Sequence, residues 1–414
     1  MKINIENKWM RAAIPALLIH MSVGTVYCWS TFKQAISETI GMSPFSVGWG
    51  FSLAIFFLGM SAAFAGRFVE KDIKTSSQIS CICFSAGMVG TGIVLAVSKG
   101  IVALIGIYLC YGVIMGIGLG IGYLTPVKTL MLWFKENKGL ATGISIMGFG
   151  LAKAIASPIM LILQQRVGIA SMFIILGFFY CSIMCCGHLL LKKPDGWIEP
   201  IPKKAENPFI IFKDKTFLGI WLMFFINIHC GLMIIAYERQ ILNAFFGASV
   251  ILIPLIAVVP SLTAGANALG RIGYSTISDK LSQRNYIYQI IFISSIVASI
   301  LAYFCSAYSC NIIFIEIIII TFLLIINAGY GGGFSTLPAL LSERFGMKKI
   351  SQIHGLALSA WAVAGVTGNN LSEILLNKFN NYNAIFITSL ILYIVAFGIC
   401  VWLVSNKNSS IEID

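Results

Sequence analysis

Twelve long apolar runs constrain what this chain can fold into more than any other feature. They lie near 12–36, 46–66, 77–97, 101–126, 140–163, 169–191, 216–238, 250–274, 286–306, 312–338, 352–374 and 382–404. A membrane-crossing helix needs about 20 apolar residues, and each run supplies them. Runs of this length exceed a barrel strand, and the period-two alternation of a barrel is absent, so the spans read as helices. Composition agrees: 58% hydrophobic and 11% charged residues leave too few charges to coat a soluble domain of 414 residues. The expected fold is an all-α membrane protein of twelve transmembrane helices. Lys2, Lys8 and Arg11 precede the first run as in a signal peptide. That run is too long for one and no small-residue cleavage site follows, so it is kept as a span.

The net charge of +12 invites a nucleic-acid reading. The positions of the cations argue against it. If the N-terminus lies in the cytoplasm, 20 of the 28 Lys and Arg fall in inner segments, five fall at outer ends and loops, and three lie within spans. This bias sets both termini in the cytoplasm of a multi-pass cell-membrane protein. The basic excess is an orientation signal. The expected partners are the lipid bilayer and a small solute, with no nucleic acid.

The three cations within spans are Lys128, Lys153 and Arg271. A charge deep in a bilayer costs a few kcal/mol at least, and chains that keep one usually aim it into a cavity. Arg271 presents a planar fork that matches a carboxylate in two hydrogen bonds, so it is the candidate holder of a small anion. The plainer reading is an arginine bonded to backbone carbonyls. Lys128 lies six residues from the inner end of its span and can snorkel to the interface. Lys153 lies about 21 Å into its helix by helix rise, too deep to snorkel inward, so it faces a cavity or its outer mouth. Either lysine could supply a second positive charge. His20 and His229, 209 residues apart, are candidates for proton exchange; the alternative is a pair of neutral histidines bonded between helices.

The longest stretch outside the spans, 192–215, holds four prolines and six lysines and reads as a cytoplasmic linker. It separates two six-helix bundles, 1–191 and 216–414. The halves repeat weakly. Gly66-Arg-Phe-Val-Glu70-Lys71 matches Ser275-Thr-Ile-Ser-Asp279-Lys280 at an offset of 209, and Gly139-Leu140-Ala141 matches Gly355-Leu356-Ala357 at 216. Duplicated six-helix halves around a midplane site are a transporter architecture. An acid and a cation at equivalent helix ends suit a loop that locks and unlocks: Glu70 can pair with a helix N-terminus and Lys71 with a carboxylate elsewhere.

Several stretches carry a resemblance. The first span reads Gly24-Thr-Val-Tyr27-Cys-Trp29-Ser30-Thr-Phe32, and the fourth and fifth read GIGYLTPVKTLMLWFKENKGLATGISIMGFG. The seventh reads FFINIHCGLMIIA and the eighth ANALGRIGYSTISDK. These residues resemble the major facilitator superfamily and, within it, the oxalate/formate antiporter family. The resemblance implies rocker-switch transport of small carboxylates. It puts Arg271 at the substrate-binding arginine and Tyr27, Tyr123 and Tyr330 among the enclosing aromatics. Glu70-Lys71 and Asp279-Lys280 fit the superfamily's gating loop motif, with its leading glycine kept as Gly66 and replaced by Ser275. Oxalate exchangers of this family resemble one another in a second cation on the eleventh helix, where this chain has Trp361. A dianion would meet one fixed charge instead of two, so a monocarboxylate of lactate, pyruvate or formate size is expected over oxalate.

No phosphate loop, zinc spacing or Ser-His-Asp pattern appears, and Gly118-x-Gly120-x-Gly122 has no strand before it. The eleven cysteines form no C-x-x-C pair and read as core packing, although Cys305 and Cys310 flank one outer loop. No metal, cofactor or enzymatic activity is expected. The alternatives are an oxalate/formate-type exchanger, a facilitator for another small solute such as nitrate, an amino acid or a drug, and more remotely a membrane enzyme or a sensor derived from a carrier. A monomer is the expected state.

Overall fold

The computed structural model describes residues 7–196, 208–235, 237–246, 253–308 and 312–405, and the regular structure there is helical. The expected linker runs partly through 197–207. That stretch, residues 250–252 of the eighth expected span, and Cys310 lie outside the described residues. Four helices come first: α1 Trp9–Ile40, α2 Pro44–Lys71, α3 Ile73–Val97 and α4 Gly100–Trp133. The next, Lys138–Leu190, has 53 residues. At about 80 Å by helix rise, it is too long for one crossing of a hydrocarbon layer about 30 Å thick. It breaks at Gly168, whose φ of 80° only glycine adopts readily, giving α5 at 138–167 and α6 at 169–190. Then come α7 Lys215–Ile235, a short helix Glu238–Phe246, α8 Ile253–Ser278, α9 Asn285–Ala307, α10 Ile312–Phe345, α11 Ile350–Phe379 and α12 Asn383–Val404.

Among the described residues, nine helices are long and apolar enough to cross a membrane, with Lys138–Leu190 counted once. Neither α8 nor α11 is among them, although both have the length. Both helices carry polar side chains. Helix α8 carries Thr263, Asn267, Arg271 and Ser275, and α11 carries Ser351, His354 and Ser372, all buried inside the protein. Polar side chains are tolerated in a span where they face the bundle interior.

Local chemistry sets the turns. Ser43 caps α2 by accepting the Ser46 amide, and Asp72 caps α3 by accepting those of Lys74 and Thr75. Asp72 lies in a loop outside the spans. Hydrogen bonds from Thr75 hold its carboxyl below the usual carboxylate range.

Trp9 at the start of α1 packs edge-on against Phe134 after α4 (5.5 Å), and Ser405 after α12 accepts from Asn285 at the start of α9 (2.8 Å). The Asp279 turn before α9 binds the start of α5, which follows Phe134 closely. Both described ends therefore share one face, called here the terminal face. Helix α2 runs along α11 and α5 along α8. A Cβ at Gly139 would lie 2.0 Å from the Ser275 carbonyl, and one at Gly355 would lie 2.2 Å from that of Ala62. The repeated glycines mark two of the places where helices of opposite halves touch backbone to backbone.

Candidate functional site

Two parts stand out: an open cavity with a buried arginine at its base, and a closed terminal face.

Arg271 lies on α8 and is 1% exposed. Its Nε donates to Asn267 Oδ1 at 2.9 Å and its Nη1 to the Ile146 carbonyl at 3.4 Å, while Nη2 is buried without a partner. Asn267 lies four residues earlier on α8, so the two share a helix face and the amide aims the fork. The guanidinium carbon sits 5.9 Å from the Phe149 ring and 5.3 Å from that of Phe334. Among the described residues, no carboxylate forms an ion pair with it. Two further buried donors lack partners nearby: Tyr123 Oη and Trp361 Nε1. The Trp361 ring packs on Phe149, Phe334 and Tyr123, so all three open groups gather around one aromatic cluster. Unpaired buried polar atoms are uncommon, and three in one cluster need a cause.

Above this cluster, Tyr27 and Tyr330 join hydroxyls at 2.7 Å, linking α1 of one half to α10 of the other. Tyr27 sits where α1 tightens into a 3-10 turn, Gly24–Cys28, and such turns within a helix often mark hinges. Gly231 makes room for Tyr330: a Cβ there would lie 2.2 Å from the ring. Both tyrosines line a cavity of about 280 Å³ that also takes in Phe45, Gly48 and Trp49 from the start of α2, so it opens on the face opposite the termini. Lys33, Lys153, Glu238, Glu373 and Asn267 line it too. Its wall includes Gly150, where a Cβ would come 3.2 Å from Arg271 Nε. Arg271, Tyr123 and Trp361 are not part of the lining and lie just behind it.

The terminal face is shut by two carboxylates. Glu70 accepts the Ser351 amide of α11 at 2.8 Å and pairs with Lys128. Asp279 accepts the amides of Gly139 and Leu140 at the start of α5 (2.9 and 2.8 Å) and pairs with Arg284 at 2.6 Å. Each acid satisfies orphan amides at a helix N-terminus of the opposite half, where the helix dipole favours negative charge. Gly66 lies at the same seam, where a Cβ would come 2.7 Å from Gln352 Cα.

Several residues sit apart from the places read for them. Lys128 is 1% exposed and does not snorkel, because Glu70 neutralises it inside the protein; it is not part of the cavity lining. Lys71 and Lys280 are exposed and reach no carboxylate among the described residues. Lys128 and Arg284 are the cations that do. His20 is fully buried between the Tyr123 carbonyl (2.9 Å) and Ser145 Oγ (2.7 Å). The neutral ring satisfies both contacts, with Nε2 donating and Nδ1 accepting. His229 Nδ1 meets Thr367 Oγ1 at 2.9 Å, and neither histidine lines the cavity. Asn267, Phe149 and Phe334 escaped the sequence reading. The four-residue spacing from Arg271 could have flagged Asn267, whereas nothing local distinguishes the two phenylalanines from core.

Comparisons with known proteins bear on the family and the fold. The sequence profile of the Major Facilitator Superfamily matches residues 16–369. The chain is 22% identical over 413 residues to the oxalate:formate antiporter of Oxalobacter formigenes, covering 99% of this chain and 94% of that one. It is 24% identical over 369 residues to the uncharacterized MFS-type transporter YhjX of Escherichia coli (strain K12), covering 87% and 86%. A shorter match, 33% over 124 residues, joins it to monocarboxylate transporter 4 of Gallus gallus, with 28% and 26% covered. Among solved structures, it is similar to a bacterial homologue of the iron transporter ferroportin (TM-score 0.75, 12% identity, 95% and 99% covered). It is also similar to the proton:xylose symporter XylE (TM-score 0.73, 13% identity, 95% of each chain). A profile match over most of the chain and a set of long apolar helices lead to one assignment: the protein belongs to the Major Facilitator Superfamily of multi-pass membrane transporters, which are carriers and not enzymes.

Proposed function

We propose that this transporter moves a small monocarboxylate by alternating access and that Arg271 holds the carboxylate. One observation carries the reading: a buried guanidinium that keeps one nitrogen open and has no fixed acid among the described residues, set just behind an open cavity. A travelling anion supplies the missing partner. Tyr123 and Trp361 offer it two further donors, and Tyr27 and Tyr330 close over it. The charge on the cavity wall favours a monoanion. Lys33 and Lys153 are balanced by Glu238 and Glu373 among the described lining residues, which leaves Arg271 as the uncompensated cation. Lys153 is thus the candidate second cation, and its own charge is shared with an acid. The printed names of two relatives, an oxalate:formate antiporter and a monocarboxylate transporter, agree with carboxylate cargo.

Halves 1–191 and 216–414 rock about the linker 192–215, and Glu70 and Asp279 latch them. The excess of Lys and Arg on the terminal face puts that face in the cytoplasm of a cell-membrane protein. The proposed working unit is a monomer.

Counterflow in proteoliposomes with labelled lactate, pyruvate, formate and oxalate tests the substrate class. The expected result is exchange of at least one monocarboxylate about tenfold faster than oxalate, the ratio that about 1.4 kcal/mol of differential binding gives. Oxalate as the preferred solute would overturn the monoanion reading, and silence with all four would overturn carboxylate cargo. Tyr27→Phe and Tyr330→Phe each remove one hydroxyl worth about 1 kcal/mol, so KM should rise about fivefold in either. Unchanged KM in both would remove the tyrosine bridge from binding.

A further inference from the structure

The buried acid in the cavity wall has a role that substrate binding leaves unused. Glu238 opens the short helix after α7, is 6% exposed, and lines the cavity. Its carboxyl meets Thr263 Oγ1 on α8. The same hydroxyl lies 3.0 Å from the Pro260 carbonyl. A threonine hydroxyl has one proton to give. When Glu238 is ionised, Thr263 donates to it. When Glu238 is protonated, the carboxyl donates to Thr263, and Thr263 turns its proton to Pro260. Both protonation states are therefore hydrogen-bonded in one geometry, which a carboxyl serving only as a fixed anchor does not need.

The charges around Glu238 add a second observation. Lys153 on α5 lines the same cavity as Glu238. The other titratable groups of the lining are Tyr27 and Lys33 on α1, Tyr237 beside Glu238, Tyr330 on α10, and Glu373 on α11. Helix α8 faces Glu238 with Thr263 and no ionisable group, and α10, which also packs on the short helix, carries the buried Glu316. An ionised Glu238 adds a negative charge to the cavity that opposes the positive charge of Lys153. Once Glu238 is protonated, the Lys153 charge becomes available to an incoming anion. Proton uptake and anion binding then strengthen each other, because coupling between two sites is reciprocal.

We propose that Glu238 is the proton-carrying group of this transporter, exchanging its proton through the open cavity and coupling it to carboxylate entry through Lys153. The inference rests on the carboxylate reading above. One proton enters with one carboxylate, so the pair moves without net charge.

The test uses the full chain in proteoliposomes with labelled lactate or pyruvate, whichever shows counterflow. In the wild type, an acid-outside gradient should drive accumulation, and uptake should rise as external pH falls from about 7.5 to about 5.5, the range over which a perturbed carboxyl titrates. In Glu238→Gln the pH profile should flatten and gradient-driven accumulation should fall about tenfold or more, the size of a typical coupling free energy. Glu238→Asp should restore part of the gradient response, which a merely structural acid would not do. Thr263→Val, which keeps the carboxyl but removes its relay, should shift the pH midpoint. Wild-type accumulation and slope in Glu238→Gln would overturn the proposal. So would counterflow in the wild type that ignores the gradient. Absence of counterflow with every carboxylate would remove the substrate reading and this inference with it.

Discussion

Arg271→Lys is expected to lower carboxylate uptake about tenfold or more, although the charge is kept. The fork does three things at once. Nε is held by Asn267, Nη1 touches the Ile146 carbonyl, and Nη2 is left open. An ammonium is a point charge on a flexible stem and cannot reproduce this division. A hydrogen bond to a charged group is worth about 1.5–3 kcal/mol, so loss of one of two parallel bonds gives about a tenfold to a hundredfold fall. The loss should appear in KM and in maximal rate together, because the anion is held less firmly and at the wrong angle. Asn267→Ala should copy a fraction of the effect by releasing the fork. Near-normal uptake by Arg271→Lys would mean that this side chain is a structural arginine, and the anion reading would go with it.

The second large effect concerns the closed terminal face. Glu70→Gln and Asp279→Asn together should shift the carrier toward a state open on that face. Glu70 neutralises Lys128 inside the protein, and removing one partner of a buried pair costs about 3–5 kcal/mol, because the remaining charge stays desolvated. Opening lets water reach Lys128, so the closed state bears most of that penalty. Asp279 holds two main-chain amides and Arg284, and an amide side chain cannot accept from all three in the same geometry. A bias of about 5.5 kcal/mol is enough to turn a 99:1 population into 1:99. The readout is maleimide labelling of Ser30→Cys in a background with the native cysteines replaced, since Ser30 lines the cavity on the opposite face. Labelling should slow about tenfold or more in the double variant. An unchanged rate would show that the two acids do not hold the latch.

The residues that were readable in advance share one property: their environment follows from where the span begins and ends. Arg271 could be placed because a guanidinium in lipid must face inward. The pairing of Glu70 with a helix start could be anticipated because acids next to orphan amides are stabilised wherever the fold brings them together. The partners themselves were not readable. Lys128 looked like a snorkelling lysine because its distance from the interface allowed that, yet Glu70, on another helix, reaches it first. Phe149 and Phe334 resembled any core phenylalanine until they were found either side of the guanidinium.

The amino-acid order alone determined that this chain carries apolar segments of membrane-crossing length and that short motifs recur along it, since these follow from segment length, transfer free energy and internal offsets that need no partner. Which face is shut, which donors are left open behind the tyrosine bridge, and that Thr263 meets the Glu238 carboxyl in the cavity wall were decided only by the packed helices. Those facts depend on contacts between residues a hundred or more positions apart, or on one hydroxyl choosing between two acceptors, and no local pattern in the chain encodes either.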